Sequence, residues 1–218
     1  MRTNDNKERT MGLFDFFKKK ETGAETTEPA NDMERWFTDT YALWSEYAGG
    51  SWKRIGGYLK NNADASMLRG VLRRDWDIKD QQELLEMIVA LLRVDAHTDP
   101  TTDAWDYCRA TQLAGMGYIG GYFNRAVLTD CCAVAAKVMQ QNYNSWEELC
   151  ESYLAGQAAW ARHTYDSDKA QQVIKERRDI YRRLCDMPDG PYRVPWNFNM
   201  DAAAKEAGVV YEIVMGIN

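Results

Sequence analysis

Asp106 and Arg109 stand three residues apart, one helical turn, on a face they share with Ala110 and Leu113. A carboxylate turned toward such a face is costly unless a cation answers it. One reading is a polar site in which Asp106 and Arg109, joined by Asp77, supply an acid or base and a charge partner. The other is a structural ion pair that fixes how helices pack. Asp75, Asp77 and Asp80 offer a second cluster, since three carboxylates can hold a hard cation. Their spacing lacks the glycine turn and the terminal bidentate Glu of a Ca²⁺ loop. Acids before a helix are also expected from its dipole alone.

Other chemistries find less support. The only histidines, His97 and His163, lie 66 positions apart with no HExxH or CxxH arrangement, so no metal is expected. GxSxG, Walker and Rossmann glycine patterns are missing, so no nucleotide or other cofactor is expected. Cys108, Cys131, Cys132, Cys150 and Cys185 are an odd number, none in CxxC spacing. They read as reduced core residues of a cytoplasmic protein. Cys131-Cys132 has no neighbour that would lower a thiol pKa. Lys175, Arg177, Arg178, Arg182 and Arg183 concentrate charge on one stretch, interrupted by Glu176 and Asp179. This reads as a solvated helix face, with RNA or an acidic partner as the alternative. Lys and Arg total 27 against 33 Asp and Glu, a net charge of −6, which does not favour nucleic acid or anionic lipid as partner.

The elements that must carry these residues are helical. At 218 residues and 45% hydrophobic, the chain is long enough to bury a sizeable core. Residues 1–31 read as a flexible arm and 32–218 as one all-α domain of about seven to nine helices. Met11 to Lys20, Leu/Phe-rich and then Lys-rich, could touch a membrane surface, but a short mobile tail is the simpler reading; translation could start at Met1 or Met11. Capping signals are frequent: Asn31 to Glu34, Asp80 to Glu83, Asp103, Asn124, Ser145 to Glu148, and Asp168 to Gln171. Trp36, Phe37, Thr40, Tyr41, Trp44 and Tyr47 form one aromatic stripe that Gly49-Gly50 ends. Leu84, Leu85, Ile88, Leu91 and Leu92 form an apolar one. The helix from Ala104 is expected to stop near Met116, between Gly115 and Gly117. A Pro-rich loop, Pro188 to Pro195, precedes a short helix near 201–207 and an apolar segment, 209–214, open to helix or strand.

Large rings beside glycines mark close helix crossings. Trp105, Trp146, Tyr153, Gly156 and Trp160 are the packing or interaction candidates, Trp105 and Trp160 being expected in the core. Gly156, between Tyr153 and Trp160, reads as a notch for another backbone.

Three pieces resemble an uncharacterised bacterial family, domain of unknown function twelve sixty-six. They are Trp76-Asp77-Ile78; Ala104-Trp105-Asp106 with Arg109 and Gly117-Tyr118; and Ser145-Trp146-Glu147 with Tyr153, Gly156 and Trp160. The resemblance covers about residues 70–200 and implies an all-helical bacterial domain, but no reaction. Abundant aromatic and Arg residues without a recognisable catalytic set point to a protein-interaction role with an unidentified protein partner, an immunity type being one version. The alternative is an enzyme working through Asp77, Asp106 and Arg109.

Overall fold

The computed structural model describes residues 26–93 and 99–200. The segment at 11–20, His97, and the stretches at 201–207 and 209–214 lie outside the described residues. Helices begin where a side chain can hold an orphan amide. Asn31 Oδ1 accepts from Glu34 N–H at 2.9 Å, Asp80 Oδ1 from Glu83 N–H at 3.0 Å, Asn124 Oδ1 from Val127 N–H at 2.9 Å and Ser145 Oγ from Glu148 N–H at 3.1 Å. Glu34, Glu83 and Glu148 reach back to the amides of Ala30, Lys79 and Asn144, one residue before each cap. The helices are α1 (Asp32–Thr40), α2 (Ala42–Tyr47), α3 (Asn62–Trp76), α4 (Gln81–Leu92), α5 (Ala104–Gly120), α6 (Arg125–Asn142), α7 (Trp146–Thr164) and α8 (Ser167–Asp186), with a 3-10 turn at Ile55–Gly57. No strand occurs among the described residues.

Helix α5 is the axis. It packs against α3, α4, α6, α7 and the 3-10 turn, and 14 of its 17 residues are buried. A helix enclosed on every side must be small or apolar all round, as Ala-Thr-Gln-Leu-Ala-Gly-Met-Gly is. It does not stop at Gly115 or Gly117, as local propensity suggested, but runs to Gly120 and ends at Gly121, with φ 81°. Gly115 serves a crossing instead of a stop. A Cβ there would lie 2.9 Å from Gly56 Cα, and Gly56, with φ 65°, could not readily carry a side chain either.

Tertiary bonds also move other boundaries. The aromatic stripe at 36–47 is two helices, broken at Tyr41 with φ −118°. Thr40 Oγ1 lies 2.7 Å from Phe37 O and 2.6 Å from Thr111 Oγ1, within hydrogen-bond distance of both, while Tyr41 Oη accepts from Gly56 N–H at 3.1 Å. Asp103 makes no capping bond to α5; Ala104 N–H donates to Ser152 Oγ of α7 at 3.2 Å, a cap supplied from another helix. Helix α8 is capped by Asp166, two residues ahead of Asp168, through Lys169 N–H at 2.9 Å. Four cysteines are buried as expected; Cys185, near the end of α8, is exposed because its position turns outward from Ile180 and Leu184.

Both ends of the described chain are fastened to this body. The last residues of the expected arm are bonded rather than free: Ile55 N–H donates to Thr27 O at 2.7 Å, and Arg125 donates to the carbonyls of Thr26 and Glu28. Arg125 also pairs with Glu34 through two bonds of 2.7 and 2.6 Å, where the Glu34 side chain is 7% exposed. At the other end, the indoles of Trp36, Trp146 and Trp196 meet with centroids 4.7 to 5.3 Å apart. Their N–H groups donate to the carbonyls of Trp196, Val194 and Tyr143 respectively, clasping the loop after α8. Tyr192 N–H completes the clasp by donating to Asp39 Oδ2 at 2.9 Å.

Candidate functional site

Of the residues singled out by sequence, Trp105, Asp106, Arg109, Tyr153, Gly156 and Trp160 meet at one seam, where α7 crosses the start of α5. Gly156 makes that crossing: a Cβ there would lie 2.5 Å from Trp105 Cβ and 2.6 Å from Thr102 O. Trp105 therefore packs against α7, with its ring tilted against both neighbours, 5.1 Å from Tyr153 and 5.9 Å from Trp160. Trp105 is half-buried against the core rather than in it, and Trp160 is not a core residue either. It is 38% exposed, covering Trp105 from the solvent side, and Tyr165 meets it edge-on at 5.5 Å with equal exposure. The physical reason is the crossing itself: once Trp105 fills the seam beside Gly156, the position one turn later has no interior left to enter.

Guanidinium groups continue the stack. Arg109 sits 4.8 Å over Trp105 and 5.2 Å over Trp76, and its Nη2 is bonded to Asp106 Oδ1. Both partners are partly buried, so ring faces and a carboxylate together offset the desolvation of Arg109. Arg177 lies beyond Tyr153. The charged stretch of α8 was read as solvated, yet Arg177 is 5% exposed, 3.7 Å over the Tyr47 ring, and donates to Tyr153 Oη at 2.7 Å. Burial pushes the Tyr153 phenol up and Arg177 opposes this, leaving a neutral hydroxyl that accepts. The remaining cations of that stretch do face outward: Lys175 and Arg182 share Asp179, Arg178 pairs with Glu151, and Arg183 with Glu46. A continuous series of rings and guanidinium groups results, Trp76, Arg109, Trp105, Tyr153, Arg177 and Tyr47, drawn from five helices.

Asp77 does not join Asp106 and Arg109 in a shared set of bonds. It caps α3 in a left-handed conformation, its side chain is 83% exposed, and it pairs with Lys79 at 2.8 Å. Asp75 pairs with Arg74 and Asp80 caps α4, so each of the three clustered acids has a separate local partner. Trp146 belongs to the clasp of the C-terminal loop, not to the seam. Sequence reasoning missed Tyr165 and the places of Trp76 and Arg177 in this series, and it did not pair Trp36 with Trp196. The last two touch across 160 positions, a separation at which no spacing rule operates. Arg177 carried a signal in retrospect: it falls four residues after Val173 and three before Ile180, on the apolar face.

The fold and this seam define an all-helical domain built around one enclosed helix, presenting stacked rings and guanidinium groups. Residues 96–196 match the model of a family described as "Protein of unknown function (DUF1266)". The matched segment holds Trp105, Asp106, Arg109, Trp146, Tyr153, Gly156 and Trp160; Trp76-Asp77-Ile78, included in the resemblance read from sequence, falls outside it. No curated protein and no solved structure matches the chain. Among the described residues, no helix is long and apolar enough to cross a membrane.

Proposed function

We propose that the protein is a partner-binding module and that the seam around Trp160 is its contact face. The observation that carries this is Trp160 itself. A tryptophan packed on Trp105, with an exposed Tyr165 against its edge, is apolar area left in water by the fold, and Arg109 lies over the same Trp105 ring. Trp, Tyr and Arg are the residues from which interface hot spots are built. The stack beneath also holds Arg109 in place before any partner arrives, which lowers the ordering cost of binding. A bacterial cytoplasmic protein of immunity type, covering a toxin with this face, is one form of the reading.

The test uses the full chain as bait in extract of its native host, wild type against Trp160→Ala, with melting curves as the fold control. The expected result is a specific protein retained by wild type and lost by the variant, at nearly unchanged melting temperature. Recovery of the same protein by both, or of none by wild type, would overturn the proposal.

A further inference from the structure

A second feature, sharing no residue with the aromatic face, lies between α1, the 3-10 turn and the loop after α8. It is a groove of about 800 Å³. Its charges are largely spoken for. Arg35 pairs with Asp32 at 2.7 Å, Lys53 with Asp189 at 3.1 Å, and Arg193 Nη2 is held by the carbonyls of Cys185 and Met187. Arg54 lines the same groove half-buried, and no ion pair or hydrogen bond of its guanidinium is found among the described residues. Asp39 lines it too, 3% exposed; its Oδ2 accepts from Tyr192 N–H, while Oδ1 carries no hydrogen bond among the described residues. The Tyr192 backbone that makes this bond is left-handed, φ 71°, in a residue with a bulky side chain. Such strain is held only where surroundings enforce it, and it gathers at binding sites. Here Trp146 and Tyr181 hold the Tyr192 ring at 5.5 and 6.2 Å.

We infer that this groove binds a small organic oxyanion, a carboxylate or phosphate ester with an apolar body, through Arg54 and the free oxygen of Asp39. Arg54 supplies a fork of N–H donors matched to two oxygens of such a group. Trp52, Pro188 and Pro195 supply flat apolar walls for the remainder of the ligand. Asp39 is raised to about 7, chiefly by burial, so below neutrality it carries a proton that it can donate to a ligand oxygen. Ionised, it would repel the ligand. Glu28, Asp32, Arg35, Lys53, Asp189 and Arg193 line the same space, and Asp39 is the group among them that burial carries into the neutral range, so it sets the pH dependence.

The experiment titrates the full chain, observed by amide and indole NMR shifts, with benzoate, phenyl phosphate and benzylamine. Oxyanion binding is expected, with shifts at Arg54, Trp52 and Tyr192, and none for benzylamine; the tighter of the two oxyanions identifies the source. Wild-type affinity for benzoate, which stays ionised throughout, should fall about tenfold between pH 6 and pH 8, the loss of the protonated fraction of Asp39. Asp39→Asn should bind benzoate with a flat pH profile, and Arg54→Gln should lose at least about tenfold in affinity for either oxyanion. Absence of binding by both oxyanions, equal binding of benzylamine, or an unaffected Arg54→Gln would each overturn the inference.

Discussion

Replacing Asp39 by Asn should stabilise the protein above neutrality and remove a pH dependence. In the unfolded chain this carboxyl ionises near 3.8; in the fold, burial moves it to about 7 against the Tyr192 N–H bond and the attraction of Arg35. Arg35 is a weak counter-ion because its guanidinium is already paired with Asp32 in largely exposed surroundings. Between pH 4 and 7 the folded protein therefore keeps a proton that the unfolded chain has released. Stability must fall as pH rises through that window, by about 1.4 kcal/mol per pH unit, and level off above it. Three pH units set a ceiling of about 4 kcal/mol, and relaxation around the carboxylate brings the expected loss to about 2–4 kcal/mol. Asn keeps an oxygen for Tyr192 N–H and never ionises. Tyr41, Cys150 and Tyr192 nearby are all pushed up by burial, so none titrates between pH 5 and 8. Urea unfolding followed by tryptophan fluorescence at pH 5, 6, 7 and 8 reads the effect. The variant should exceed wild type by about 2–4 kcal/mol at pH 8 and converge on it toward pH 4. Parallel curves across the range, or a variant less stable at pH 8, would refute the reasoning.

Other substitutions separate the seams of the fold. Gly156→Leu should cost about 1–3 kcal/mol or more, since Trp105 Cβ and Thr102 O both stand in the path of the new Cβ; thermal melting checks this. Trp36→Ala, at a fully buried ring, should cost about 3–5 kcal/mol, whereas Trp160→Ala should cost no more than about 1 kcal/mol. Equal losses at the two would place Trp160 in the core after all. Gln157 is fully buried and neither its Nε2 nor its Oε1 has a hydrogen-bond partner among the described residues, so Gln157→Leu should gain about 1–3 kcal/mol in chemical denaturation. Arg125→Met should lose about 3–5 kcal/mol, because it strands the Glu34 carboxylate and frees the strap at residues 26–30. In that variant the pKa of Glu34, held below the usual range by Arg125 and the Ala30 amide against its burial, should rise, as read by carboxyl NMR.

What was legible in the chain was whatever is local. Asn31, Asp80, Asn124 and Ser145 cap helices because a side-chain oxygen needs only the amide three residues on, and the leucines from Leu84 to Leu92 bury one face because helical period puts them there. The i,i+3 pair of Asp106 and Arg109 is local in the same sense. Tertiary structure decided the rest. Whether Gly115 stops a helix or admits a crossing depends on Gly56, some sixty positions away, and on which surface comes to meet it. Trp160 stands in water because Trp105 had already filled the space beside Gly156, and Arg177 lies inside because Tyr47 and Tyr153 converge on it from other helices. Asp39 is an ordinary acid in sequence; only the closing of a distant loop over it, through the Tyr192 amide, withdraws it from solvent and changes its chemistry. Short-range hydrogen bonds and periodicity are written in neighbouring letters. Burial is a property of what arrives from elsewhere in the chain.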